Sequence, residues 1–122
     1  VNWYRKAAVQ GESMAQFNMG WMYENGTGVE KDAAKAVDWY KKASLSGHIE
    51  APNFLAILYD TGNGVKEDKI TAYAWWTIGA KRGDEAPRNN LDFLETKLTP
   101  EQITQAKVLV MKLEKEMAAG KP

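Results

Sequence analysis

The sequence predicts an all-α protein, a solenoid of stacked helix-turn-helix repeats closed by a C-terminal capping helix. Three observations predict it. Trp3, Trp39 and Trp75 recur at intervals of 36 residues, and the same step pairs Gly11 with Gly47 and Gly83. Within each period, apolar side chains fall at steps of three and four twice over, the spacing of two helices. Each such helix is about 12–15 residues, a length marginal alone in water, so the apolar faces must be buried between neighbours. A period of this size means stacked supersecondary units.

Composition narrows the classes of function. Sixteen basic side chains balance sixteen acidic ones, which removes the electrostatic footprint of a nucleic-acid or anionic-lipid binder. No apolar run approaches the roughly 18–20 residues that cross a bilayer, so neither nucleic acid nor membrane insertion is expected. Cysteine is absent and His48 is the only histidine. That excludes disulfides and thiolate ligands and leaves little for a metal site or a histidine-dependent triad.

The elements follow in order. Residues 1–11 read as the second helix of a truncated repeat, entered at Val1-Asn2-Trp3-Tyr4, and this predicts a piece of a longer array. Residues 12–47 form the first full repeat. Ala15, Met19, Met22 and Tyr23 share one side of its first helix, which ends at Asn25-Gly26-Thr27-Gly28, with Gly26 suited to a left-handed terminus. Asp32 then caps a second helix whose apolar face is Ala36, Trp39, Tyr40 and Ala43 and whose wet face carries Lys35, Asp38, Lys41 and Lys42. Gly47 stops it.

Residues 48–83 repeat the scheme, with Ala51, Leu55, Leu58, Tyr59, Gly62, Gly64, Asp68 and Ala72 in the matching places. Residues 84–122 are a degenerate terminal repeat with a turn one residue shorter. Its Thr99-Pro100-Glu101-Gln102 is a capping-box signature. The helix it opens carries Ile103, Ala106, Val110 and Leu113 on one face and Lys107, Lys112 and Lys115 outside, as a closing helix requires. The tail from Ala118 is expected to fray.

The unit Ala-x-x-x-Met-Gly-x-x-Tyr-x-x-Gly-x-Gly-Val-x-x-Asp-x-x-Lys-Ala-x-x-Trp-Tyr-x-x-Ala, from Ala15 to Ala43, resembles the Sel-one-like repeat (SLR), a relative of the tetratricopeptide repeat (TPR). The resemblance implies a TPR-like right-handed superhelix, no catalysis, no cofactor, and service as a scaffold for other proteins. Relatives of that family occur in bacterial envelopes, in secretion-linked settings and in eukaryotic degradation machinery, and the sequence leaves the compartment open. Relatives linked to cell-wall ligands are disulfide-rich, which this chain is not.

Other motifs read as architecture. Gly26-Thr27-Gly28 lacks the spacing and the Lys-Ser/Thr of a phosphate loop, and it recurs at Gly62-Gly64. Trp39, Tyr40, Trp75 and Trp76 read as core and not as an aromatic cage. His48 reads as an exposed turn histidine that titrates near neutral pH without a role. No catalytic, cofactor or metal residues are expected.

In the tetratricopeptide relatives the first helices line a concave groove. The candidate groove residues here are Phe17, Trp21 and Glu24 of the first full repeat, Asn53, Ile57 and Asp60 of the second, and Arg88 of the third. Aromatics at positions with no folding reason suit interface anchors, and Asn53 and Arg88 suit a peptide backbone or carboxylate. The expected function is therefore a protein-protein interaction scaffold holding a protein or peptide ligand in that groove. The alternative is a structural, oligomerising segment that self-associates through Val1, Trp3 and Tyr4 of the half-repeat. A cell-wall glycan-associated or enzyme accessory domain is the remote alternative.

Overall fold

The computed structural model describes the backbone of residues 2–119 and the side chains of residues 11–118. Six helices follow one another: α1 (Asn2–Asn25), α2 (Ala33–Leu45), α3 (Ala51–Thr61), α4 (Lys69–Lys81), α5 (Pro87–Lys97) and α6 (Pro100–Ala119). No strand occurs among the described residues. The first and second helices of each full repeat pack most extensively, α1 on α2 and α3 on α4. Successive units join through α2 on α3 and α4 on α5, and α6 lies against α4 and touches α2.

Local chemistry places these elements twice over. Asp32 and Asp68 adopt extended backbone, and their carboxylates accept from Lys35 N (3.2 Å) and Thr71 N (3.0 Å). Their own amides reach back to Tyr23 O and Tyr59 O, both at 2.9 Å, which closes each Gly-x-Gly loop in the same way. The capping box is reciprocal: Gln102 N donates to Thr99 Oγ1 at 3.1 Å and Thr99 N to Gln102 Oε1 at 2.9 Å.

The core runs along the second helices. Tyr40, Trp75, Trp76, Leu55 and Leu58 are buried, and Ala106, Val110 and Leu113 of α6 close one side. Gly20 lets α1 approach α2, because a Cβ there would stand 2.6 Å from the Tyr40 ring. Trp39 departs from its expected place. It is half-buried, with Lys42 Nζ 4.5 Å above its ring. Its counterpart Trp75 is buried because α4 lies between α3, α5 and α6, whereas α6 only brushes α2.

Two features mark the ends of the described helices. Helix α1 runs unbroken across the boundary set between residues 11 and 12. Pro52 and Pro87 stand where Gln16 stands in the first unit, and proline excludes a continuous helix that glutamine permits. At the far end α6 continues through Ala119, and Gly120–Pro122 lie outside the described residues, as do the side chains of Val1, Trp3 and Tyr4. The outer side of α6 carries Val108 and Met111, both exposed, beside its lysines.

Candidate functional site

The seven candidate groove residues divide into two groups by what their side chains touch. Glu24 Oε1 accepts from the Tyr40 hydroxyl at 2.6 Å. Its counterpart Glu95 accepts from Tyr73 at 2.9 Å, and Asp60 pairs with Lys69 Nζ at 2.8 Å. The acidic position near the end of each first helix is thus held by the chain itself. Burial and the adjacent carboxylate push the Tyr40 phenol far above its ordinary value and the Tyr73 phenol up to about 12. Asn53 Oδ1 accepts from Trp76 Nε1 at 2.9 Å, which satisfies a buried indole.

Phe17 is half-buried in a ring cluster. It stacks on His48 with centroids 4.3 Å apart and meets Phe54 edge-on at 5.0 Å. His48 is therefore no idle turn residue. Its Nδ1 accepts from Ala51 N at 3.0 Å and Glu50 N at 3.2 Å, capping the start of α3. Burial lowers its basicity, Glu50 opposes that shift, and Arg82 adds to it. A signal for this role lies one period on, where Asp84 Oδ1 accepts from Ala86 N at 3.1 Å.

Trp21, Ile57 and Arg88 remain outward. Trp21 and Ile57 stand at one position of successive repeats with 43% and 39% of their surface exposed, and Arg88 is exposed on α5. The Asn53 amide nitrogen donates to nothing among the described residues, so Asn53 keeps a donor beside this strip.

Sequence reasoning missed Arg82. Its Nη1 donates to His48 O and its Nη2 to Ser44 O, both at 2.7 Å, and Nη2 also meets Met117 Sδ at 3.0 Å. It ties the turn between repeats to α6. Ser46 occupies its place one period earlier, so the repeat pattern carries no hint of it. Beside it opens a cavity of about 570 Å³ lined by Leu45, Ile49, Glu114 and Met117 among others.

No group of three or more His, Cys, Asp or Glu that could hold a metal ion occurs among the described residues. No helix among them is long and apolar enough to cross a membrane.

Repeated helix pairs, identical caps and an acidic anchor in each first helix define a helical-repeat solenoid of the scaffold class. The Sel1 repeat model matches residues 1–12, 13–48 and 49–84, and the chain belongs to the Sel1 repeat family. Such repeats are generally protein-interaction scaffolds and typically non-catalytic. No curated protein matches the chain. Among solved structures it is similar to a protective antigen present in uropathogenic Escherichia coli strains that displays an SLR fold. The TM-score is 0.81 and the identity 35%, over 97% of this chain and 26% of that one. It is also similar to a Sel1 repeat protein from Oxalobacter formigenes, with a TM-score of 0.64 and 38% identity, over 74% of this chain and 37% of that one. The matched region thus covers about a quarter of the first relative's length and somewhat over a third of the second's.

Proposed function

We infer that this chain is a protein-interaction module that recognises a peptide or partner segment along its first helices. One observation carries the reading. Trp21 and Ile57 are large apolar residues at the same position of successive repeats, and both stay exposed while Glu24, Asn53 and Asp60 around them are engaged within the chain. Trp21 leaves 43% of its surface uncovered by the chain, and exposed aromatics are the usual anchors of interfaces. Phe17 acts behind the strip, bracing His48 and the start of α3. The Asn53 amide and the Arg88 guanidinium supply donors for a backbone carbonyl or a carboxylate of the guest.

Peptides selected from a random library on the whole chain provide the probe. The double change Trp21→Ala, Ile57→Ala is expected to weaken the selected peptides by at least about 2 kcal/mol, roughly thirtyfold, in calorimetric titration. Phe93→Ala, an exposed aromatic elsewhere on α5, leaves affinity unchanged. Equal affinity of wild type and the Trp21/Ile57 variant, with helicity intact, overturns the assignment.

A further inference from the structure

Asparagine followed by glycine is a pair at which a peptide chain can modify itself. The backbone nitrogen after the asparagine attacks the side-chain amide carbon, and glycine has no side chain to obstruct the approach. This chain contains two such pairs, Asn25-Gly26 and Asn63-Gly64, all four residues exposed. They stand at different places in otherwise matching loops, since Gly26 corresponds to Gly62 and Asn63 to Thr27.

The structure treats the two pairs differently. Asn25 is the last residue of α1, and its Nδ2 donates to Trp21 O at 2.9 Å, which ties the amide to the preceding turn. In helical backbone the next N–H points back along the axis toward a carbonyl and away from the side chain. Asn63 lies outside any helix. Its own backbone amide donates to Leu58 O at 3.0 Å and fixes the loop, but its side chain makes no hydrogen bond among the described residues. The Gly64 nitrogen likewise donates to nothing among them. Nucleophile and target are thus adjacent, on exposed residues and unengaged.

We propose that Asn63-Gly64 is a self-modification site, where Asn63 is converted through a succinimide to aspartate and isoaspartate, and that the isoaspartyl product loosens the junction of the two full repeats. The Gly64 nitrogen forms a bond to Asn63 Cγ, the Cγ–Nδ2 bond breaks, and ammonia leaves with the Gly64 amide proton. Water then opens the ring. Opening at the side-chain carbonyl gives aspartate, and opening at the main-chain carbonyl gives isoaspartate, whose backbone is longer by one methylene. Water is the only co-reactant, and nothing is oxidised or reduced. The added methylene falls next to Gly64, where a Cβ would already stand 2.4 Å from the Ala33 carbonyl carbon. The loop cannot take it up without moving against the start of α2. This inference is independent of the Trp21 and Ile57 strip.

Ageing the full chain in mildly alkaline buffer tests it, with a parallel sample in urea. The chain has no net charge, so each conversion adds one negative charge and separates on anion exchange. Trypsin places the two pairs on different peptides, 7–31 and 43–66, for mass analysis. The folded protein is expected to accumulate an acidic form modified at Asn63, with Asn25 slower by at least about tenfold. In urea the two sites react at similar rates, because only the local sequence then acts on them. Asn63→Thr, which copies Thr27 of the first loop, does not form that acidic species. In the isoaspartyl fraction, the hydrogen-bonded amides of α2 from Ala36 onward exchange faster than in the unmodified chain. An Asn25 that reacts as fast as Asn63 in the folded chain overturns the proposal, as does an Asn63 that stays intact while the urea sample converts. An isoaspartyl form with unchanged protection in α2 overturns the link to the repeat junction.

Discussion

A neutral imidazole holds the start of α3, and this makes one residue sensitive to pH. His48 Nδ1 accepts two backbone amides and its ring lies flat on Phe17, with Arg82 and Glu50 as the nearby charges. Protonating Nδ1 would remove the acceptor and place a cation near Arg82. Burial lowers the folded-state value below the ordinary one of about 6.5. Below that ordinary value the unfolded chain takes up a proton before the folded one does. The His48 contribution is therefore fully present above about pH 6.5, declines as pH falls toward the lower folded-state value, and levels off beneath it. Thermal unfolding followed between pH 5 and 7.5 should show this slope (roughly the span in which an ordinary histidine titrates). His48→Asn, which keeps a capping oxygen without titrating, should flatten it. His48→Ala should lower stability by about 1 kcal/mol at neutral pH, the usual cost of a lost cap.

At the scale of the element, one motif position serves two different constraints. Gly28 and Gly64 occupy the same place in the two Gly-x-Gly loops and share a left-handed backbone, with φ of +75° and +79°. A Cβ on Gly28 would meet only the end of Met22 at 3.5 Å, whereas one on Gly64 would stand 2.4 Å from the backbone of Ala33. The second loop is packed against the start of α2 in the preceding repeat, and the first loop has no such neighbour among the described residues. Gly28→Ala is expected to cost about 1–2 kcal/mol from backbone strain alone. Gly64→Ala should cost a further 1–3 kcal/mol or so, because α2 must shift. Urea unfolding of the two variants gives the comparison, and equal losses would refute the loop-to-helix contact as the source.

Over the whole molecule, Arg82 makes the unit boundary and the closing helix one structure. Stability in a solenoid comes from interfaces between neighbours, and here a single guanidinium spans the end of α2, the following turn and Met117 of α6. Removing it leaves two carbonyls without their charged donor, at about 1.5–3 kcal/mol for each such bond. Arg82→Ala is expected to reduce amide protection in α6 and in the 44–48 turn together, as hydrogen exchange would report. Arg82→Lys should rescue little, since a point charge cannot reproduce the planar fork that reaches both carbonyls. Protection lost in α6 alone would count against the clasp.

What the sequence by itself determined is whatever operates within a few residues or repeats at a constant step. The 36-residue period, the Asp32 and Asp68 caps, the left-handed Gly26 and the capping box at Thr99 and Gln102 all belong here, because each is a local exchange between a side chain and a nearby backbone group. The candidate site was legible only as a set of positions. Trp21, Ile57 and Arg88 are exposed, whereas Glu24, Asn53 and Asp60 find partners on the second helices, and Phe17 turns to His48 and Phe54. Tertiary structure alone decided these, as it decided the burial of Trp75 against the half-exposure of Trp39 and the reach of Arg82 across the unit boundary. Which face a helix hides depends on which helices lie beside it. That neighbourhood is set by stacking over whole units and leaves no trace in the spacing of residues along one helix.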